Sequence, residues 1–195
     1  MKKINITRSI FTFLFTLLMF SKIAAQEISK EEWKKMSPKE RKEYKQKILI
    51  DSKQKTLVAL NSRAWVLEAN TVQDHYGESY IIEPSLNFVG VAGENSTLQL
   101  GESGAIGING VGGITLDGKV KKHDIDEGKK ATSPMSVRLE VSGASSGFVS
   151  ILVNVSPDGN ASATVTDMYG NRLTYRGQIK ALGESRVFKG MTNYL

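Results

Sequence analysis

The chain has 195 residues, of which 40% are hydrophobic and 24% are charged, with a formal net charge of +6 and no cysteine. The absence of cysteine excludes disulfides, thiolate metal ligands, a cysteine nucleophile and a lipid-modified N-terminal cysteine. The length suits a single domain with a substantial core.

The positive charge is unevenly distributed along the chain. Residues 1–25 hold four Lys or Arg and no acidic residue, residues 26–56 hold ten against six, and residues 57–195 hold twelve against fourteen. The main part of the chain is therefore slightly acidic, and the basic pI of about 9.4 does not indicate a nucleic-acid partner.

The first 25 residues have the pattern of a secretory signal peptide. Basic residues precede an uncharged apolar block at residues 10–20, and Ala24-Ala25 precedes a polar run. The apolar block is too short for a membrane-spanning helix, which needs about 20 residues. We expect cleavage after Ala25 and a periplasmic or secreted protein. The alternative is an uncleaved signal, through which alone we would expect membrane attachment.

Residues 26–60 are predicted to form a charged helical segment. Ser29 and Glu32 have the spacing of a capping box, and Ser37 and Glu40 repeat it, with a proline at the first helical position. The sequence therefore predicts a short helix followed by a long one. The basic residues of the long helix indicate a solvated face, and a helix that binds a membrane surface is the alternative.

Residues 61–195 are predicted to form an antiparallel β domain. Four late segments alternate between apolar and polar residues, at 136–142, 149–155, 161–166 and 172–181, and less regular strands are expected at 64–69, 86–91, 97–100 and 114–125. Pro157-Asp-Gly159 and Gly170-Asn171 predict hairpin turns. The fold class is therefore mostly β, a curled antiparallel sheet in the form of a partial barrel or a sandwich, preceded by an N-terminal helical segment.

Six glycines occur within residues 101–113, a density that requires a conformational reason. The overlapping segment Gly113-Ile-Thr-Leu-Asp-Gly-Lys-Val120 comes within one residue of the phosphate loop of nucleotide-binding proteins. Val120 replaces the hydroxyl that would bind magnesium, and neither a buried strand before the loop nor a helix after it is predicted. We therefore expect no nucleotide, and instead a turn or bulge at Asp117-Gly118 within a β segment.

Four segments together resemble a known family. They are Asn87-Phe-Val-Gly-Val91, Gly107-Ile-Asn-Gly-Val-Gly-Gly-Ile-Thr115, Asp117-Gly-Lys119 and Leu173-Thr-Tyr-Arg-Gly-Gln-Ile179. Over about residues 61–182 the chain is similar to a Bacteroidetes family of small exported proteins, the domain of unknown function forty-two fifty-one. The resemblance implies an envelope location and a largely β domain after an N-terminal helix, and it implies no activity, cofactor or catalytic residue. Many members resemble lipoproteins, whose cysteine this chain lacks.

No complete catalytic or metal-binding pattern is found in the sequence. His75 and His123 have acidic neighbours, but we interpret both as solvated loop residues rather than zinc ligands. Residues 124–128 lack the third acid and the distal glutamate of a calcium loop. Ser52-Lys-Gln-Lys55 has a spacing used by penicillin-recognising enzymes, without their Lys-Thr-Gly partner. We expect no metal and no cofactor.

The sequence favours a non-enzymatic exported domain that binds a small apolar ligand or a peptide, or that maintains the envelope. The candidate ligand-binding residues are the bulky apolar side chains Trp65, Leu67, Phe88 and Tyr175, which could line a cavity if the sheet closes only in part. The same side chains could form plain core. The alternatives are a hydrolase that uses carboxylates brought together by the fold, and a surface-interaction or inhibitor protein with an exposed apolar patch.

Overall fold

The computed structural model describes residues 28–102, 109–143 and 147–191. The predicted signal peptide, residues 1–25, lies outside the described residues, as does part of the glycine-rich stretch. The chain forms two compact units, Met1–Glu43 and Tyr44–Leu195.

Two helices are described, and both begin at the predicted caps. Helix α1 spans Lys30–Lys35 and helix α2 spans Pro38–Asn61, so that α2 begins in the first unit and ends in the second. The amide of Ser29 donates to Glu32 at 3.0 Å, and the amide of Ser37 donates to Glu40 at 2.7 Å. The predicted short helix followed by a long one is confirmed. Within the described residues, neither helix has the length and apolar character needed to cross a membrane.

Nine strands follow helix α2 in the described part of the second unit. Their bounds are β1 Ala64–Gln73, β2 Ser79–Ile81, β3 Phe88–Ala92, β4 Asn95–Leu100, β5 Ile114–Asp126, β6 Met135–Gly143, β7 Gly147–Val155, β8 Asn160–Thr166 and β9 Arg172–Ala181. Antiparallel pairing gives the order β2-β1-β3-β4-β5-β6-β7-β8-β9, and β1 also pairs with β9. The predicted curled antiparallel sheet is confirmed, and it closes as an eight-stranded barrel with β2 as an extra strand beside β1.

Strand register decides which predicted local features hold. The two predicted hairpin turns are confirmed, since Gly159 and Gly170 have φ of 87° and 86°. Strand β1 continues past its predicted end to Gln73. The prediction stopped short because a bulge at Asn70 interrupts the alternation. Strand β2 has no counterpart in the prediction, because its three residues are all exposed and show no alternation.

The segment that resembled a phosphate loop lies within strand β5. Lys119 is an exposed strand residue opposite Asn95, and the strand continues to Asp126 rather than turning into a helix. The predicted turn or bulge at Asp117-Gly118 is wrong, because both residues occupy regular paired positions. The bulge falls at Lys121, where the register between β5 and β6 shifts. This geometry provides no loop in which a phosphate could be held by a following helix.

The alternating strands place one apolar face inside the barrel. The interior cluster includes Trp65, Leu67 and Ala69 of β1, Val89 and Val91 of β3, Val137, Leu139 and Val141 of β6, Val149, Ile151, Val153 and Val155 of β7, Ala161, Ala163 and Val165 of β8, and Tyr175 and Ile179 of β9. Three residues from the end of helix α2, Leu57, Ala59 and Leu60, belong to the same cluster. The helix therefore contributes to the barrel core, and fully burying a side chain such as Leu60 stabilises the fold by about 1.5–3 kcal/mol.

A buried lysine joins helix α2 to the loop between β5 and β6. The side chain of Lys53 is 3% exposed. Its Nζ donates to the carbonyl oxygens of Glu127 at 2.6 Å and Lys130 at 2.9 Å. A buried ammonium is tolerated when it is hydrogen bonded, and this one fixes the helix at the barrel end that carries the β5–β6 loop.

Candidate binding surfaces

The structure separates the four predicted ligand-binding residues. Trp65, Leu67 and Tyr175 lie in the interior cluster with exposed fractions of 0%, 0% and 1%. Phe88 is also buried, at 3%, but it pairs with Glu68 on the outward side of β3 and lies outside that cluster. Burial raises the pKa of Tyr175. Three of the four residues therefore share one environment, and the fourth belongs to the opposite face of the sheet.

A small cavity of the barrel interior is lined by none of these four residues. A cavity of about 20 Å³ lies between β4, β5, β6 and β7, and its apolar lining includes Leu98, Leu116 and Ile151. Pockets that hold small organic ligands have volumes of about 300–1,000 Å³. The side chains described here fill this part of the barrel as a packed core.

A larger concave surface lies around the end of β7 and the start of β8, beside β9, and we call it the polar groove. Its volume is about 410 Å³, and it is lined by Asn70, Pro134, Asn154, Val155, Ser156, Asn160, Ala161, Ser162, Arg176 and Gly177. Asn154, Ser162 and Arg176 are register partners on β7, β8 and β9, and thus form a row across three strands. The guanidinium of Arg176 donates to Gln73 Oε1 at 2.8 Å, which orients it along this face.

A second outer cavity, of about 310 Å³, brings two carboxylates to one place. Its lining includes Glu140, Asp167 and the exposed ring of Phe148. Asp167 is committed to its own turn, because it accepts hydrogen bonds from the amides of Tyr169 and Asn171 and from the Asn171 side chain. The Asn171 side chain, above all, lowers the pKa of Asp167, whereas a general acid requires a raised one. Asp167 is therefore unsuited to the general-acid role in a carboxylate hydrolase.

The predicted interpretation of the histidines holds for only one of them. His75 is exposed in the β1–β2 hairpin. His123 is a half-buried strand residue, and the indole Nε1 of Trp65 donates to its Nε2 at 3.4 Å. Burial and the nearby charge of Arg63 lower the pKa of His123, so the neutral ring is favoured. No group of three or more potential metal ligands occurs within residues 28–102, 109–143 and 147–191.

Four buried polar side chains beside one another form what we call the polar seam: Gln99 of β4, Thr115 of β5, Asn87 immediately before β3 and Asn109 in the segment before β5. All four are at most 1% exposed. Thr115 Oγ1 donates to Gln99 Oε1 at 2.9 Å, and Asn109 Nδ2 donates to Thr115 Oγ1 at 3.0 Å. The buried amide and hydroxyl groups are therefore satisfied by one another and by main chain.

The polar seam explains why glycine is needed at the entry to strand β5. Asn109 Oδ1 accepts from the amides of Val111 and Gly113, which folds the chain tightly at the entry to β5. A Cβ added at Gly113 would lie 2.0 Å from the carbonyl oxygen of Leu100, so only glycine fits there. At Gly113 the requirement is close approach of main chain to main chain, and Gly110 and Gly112 have φ of 76° and 73°, which favour glycine.

The seam is the feature that sequence reasoning missed. Gln99 and Thr115 lie at outward strand positions, where polar residues normally face solvent. The signal that could have identified them is the glycine-rich string that ends at Thr115, since polar residues between obligatory glycines are commonly engaged by main chain.

Comparison with known proteins is consistent with this architecture. Residues 47–179 match the family model described as Domain of unknown function (DUF4251). The chain is similar to a crystal structure of a DUF4251 family protein from Bacteroides eggerthii DSM 20697, with a TM-score of 0.55 and 26% sequence identity, over 70% of this chain and 92% of that chain. No curated protein was found to match. The family match spans the end of helix α2 and the barrel, so the chain belongs to the DUF4251 family.

Proposed function

We propose that this protein is an exported, non-enzymatic binding domain of the cell envelope, in which the barrel supports the polar groove as a site for a hydroxyl-rich ligand such as a polysaccharide. The observation that carries the proposal is the row Asn154, Ser162 and Arg176 along a groove of about 410 Å³. The volume falls in the range of small-ligand sites.

The chemistry of the groove favours such a ligand. Amide and hydroxyl side chains both donate and accept hydrogen bonds, and sugar hydroxyls do the same. Arg176 adds donors, and it is the charged side chain among the groove residues named above. A neutral or weakly acidic polysaccharide therefore matches the groove better than a basic ligand does. The predicted apolar ligand stays a prediction.

Binding to polysaccharide can be tested by affinity electrophoresis of the mature protein in gels that contain a panel of soluble envelope and plant polysaccharides. We expect at least one polysaccharide to retard the protein. Arg176→Ala should weaken that binding by about tenfold or more, because a charge-assisted hydrogen bond is lost. Arg138→Ala is the matched control, because Arg138 is also exposed and outward, on β6. Equal retardation of both variants, or no retardation by any polysaccharide, contradicts the proposal.

Export is the second part of the proposal, and it rests on the sequence of residues 1–25. We expect protein recovered from the periplasm or the medium to begin at Gln26, which intact-mass measurement would detect. Recovery of the full-length chain in the membrane fraction would instead support the uncleaved anchor.

A further inference from the structure

The last described residues follow β9 and contact the outward Glu68 and Gln99 of the barrel. A short 3-10 helix, Leu182–Glu184, follows β9, and we call residues 185–191 the strap. Glu68 on β1 accepts from Ser185 Oγ at 2.8 Å and from the Arg186 amide at 3.3 Å. Burial disfavours ionisation of Glu68, but these bonds and one from Lys180 outweigh it and lower its pKa.

The strap is held mainly through its main chain. The amide of Phe188 donates to the Ser85 carbonyl at 2.8 Å, and the amide of Met191 donates to the Asn109 carbonyl at 2.8 Å. Between them, Gln99 Nε2 donates to the Phe188 carbonyl at 2.8 Å, and Gln99 Oε1 accepts from the Gly190 amide at 2.8 Å. The carboxamide of Gln99 thus pairs with the strap as the main chain of a neighbouring strand would.

Gln99 is also held by residues outside the strap. Its side chain is fully buried, its Nε2 also donates to the Leu86 carbonyl at 2.9 Å, and its Oε1 also accepts from Thr115. A polar group positioned by neighbours within the barrel loses little conformational freedom when it binds a peptide.

Two residues of the strap give the contact its selectivity. A Cβ at Gly190 would lie 2.5 Å from the Asn109 carbonyl oxygen and 2.9 Å from Val111 Cγ2, so the surface under the strap accepts only glycine there. Lys189 Nζ lies 2.7 Å from Asp117 Oδ2. By contrast, Phe188 and Met191 are 63% and 66% exposed. The surface therefore selects lysine followed by glycine and leaves the neighbouring apolar side chains in solvent.

We propose that the surface formed by Ser85, Gln99, Asn109 and Asp117 is a peptide-binding site, which the chain occupies with its own strap, and that it accepts in trans an extended peptide containing Lys-Gly. The residues of this surface lie within the part of the chain that matches the family, residues 47–179, whereas the strap lies beyond it. The site is separate from the polar groove, and its existence does not depend on the ligand proposed there.

The experiment uses the full mature chain and a matched pair of glycine variants. Gly190→Ala should displace the strap, whereas Gly183→Ala should not, because no atom lies within 4 Å of a Cβ at Gly183. Trypsin should cleave after Arg186 and Lys189 faster in Gly190→Ala than in the wild type or in Gly183→Ala, as followed by mass spectrometry. Unchanged protection in Gly190→Ala would overturn the proposal.

Binding in trans is measured with a fluorescent synthetic peptide that has the sequence of residues 185–191. The opened Gly190→Ala protein should bind this peptide at least about tenfold more tightly than it binds a peptide with alanine in place of the glycine. The alanine peptide would clash with the surface and lose a hydrogen bond. Wild-type protein should bind the peptide weakly, because its own strap competes. Equal binding of the two peptides, or binding of neither to the opened protein, would overturn the proposal.

A second variant keeps the test decisive if Gly190→Ala is poorly folded. Lys189→Glu alters a half-exposed side chain and sets a carboxylate against Asp117, which should release the strap without a steric change. The wild-type peptide should then bind in a salt-dependent manner, and a peptide with glutamine in place of the lysine should bind about two- to fivefold more weakly. Peptide affinity that is insensitive to both salt and this replacement would contradict the assigned lysine contact.

Discussion

The closure of the barrel depends on Gly177, and we predict that Gly177→Ala strongly destabilises the protein. Gly177 on β9 pairs with Ala69 on β1 beside a bulge. A Cβ at this position would lie 1.8 Å from the Glu68 carbonyl oxygen and 2.8 Å from Ala69 Cα. Carbon and oxygen normally approach to about 3.3 Å, so the two strands would have to separate by roughly 1.5 Å. Such a separation breaks the adjacent ladder hydrogen bonds.

The size of the effect follows from the hydrogen bonds and the packing between β1 and β9. Loss of about two main-chain hydrogen bonds costs roughly 2 kcal/mol, and displacement of the neighbouring core adds about 1–3 kcal/mol. We therefore expect the free energy of unfolding to fall by about 3–5 kcal/mol, a large part of the 5–15 kcal/mol that is typical of a domain.

Urea unfolding followed by tryptophan fluorescence would measure this change, because Trp65 lies in the core on β1, the strand that pairs with β9. Gly183→Ala is the control and should change the free energy of unfolding by less than about 0.5 kcal/mol, since its Cβ would meet nothing. If Gly177→Ala costs less than about 1 kcal/mol, the close approach of β1 and β9 is refuted, and with it the closed barrel.

Two further predictions concern buried ionisable groups. Burial and Arg63 lower the folded-state pKa of His123, so its contribution to stability is full above the ordinary pKa of 6.5 and declines as the pH falls below it. Between about pH 8 and 5, the melting temperature should therefore fall less in His123→Gln than in the wild type. Equal falls in the two proteins would exclude this role for the His123 ring, which accepts from Trp65. Lys53→Met should lower the free energy of unfolding by about 1–3 kcal/mol, because two carbonyls lose a charged donor, whereas Lys55→Met, at an exposed position of the same helix, should have little effect in the same urea titration.

The sequence predicted those parts of the fold that depend on local pattern. The caps of both helices follow from Ser and Glu three residues apart, and strands β6 to β9 follow from strict alternation. Closure could not be predicted, because the pairing of β1 with β9 joins segments about a hundred residues apart, and nothing in either strand identifies its partner. The bulges at Asn70 and Lys121 likewise depend on how the neighbouring strands twist.

The predicted ligand residues show why apolar bulk cannot distinguish a cavity from a core. Trp65 and Tyr175 were selected because they are large and alternate correctly, and both properties also suit an interior that is fully packed. Phe88 begins the run Phe-Val-Gly-Val, in which residues on both faces of β3 are buried, so alternation could not assign its side. The burial of Gln99 in the polar seam does not follow from local pattern, because some of its hydrogen-bond partners lie in the strap, which is remote in sequence.

The part of strand β9 that carries the family resemblance contains residues that the fold requires and one that it does not. Within Leu173-Thr-Tyr-Arg-Gly-Gln-Ile179, packing accounts for Tyr175 and Ile179 in the core, and strand closure accounts for Gly177. Neither requirement accounts for Arg176, which is exposed, faces outward and is held by Gln73 at the edge of the polar groove. A side chain that the barrel does not need for its fold, yet that is oriented by a neighbour, is suited to contact a ligand. Arg176 is therefore the residue through which a binding function and the barrel that supports it can be separated by mutation.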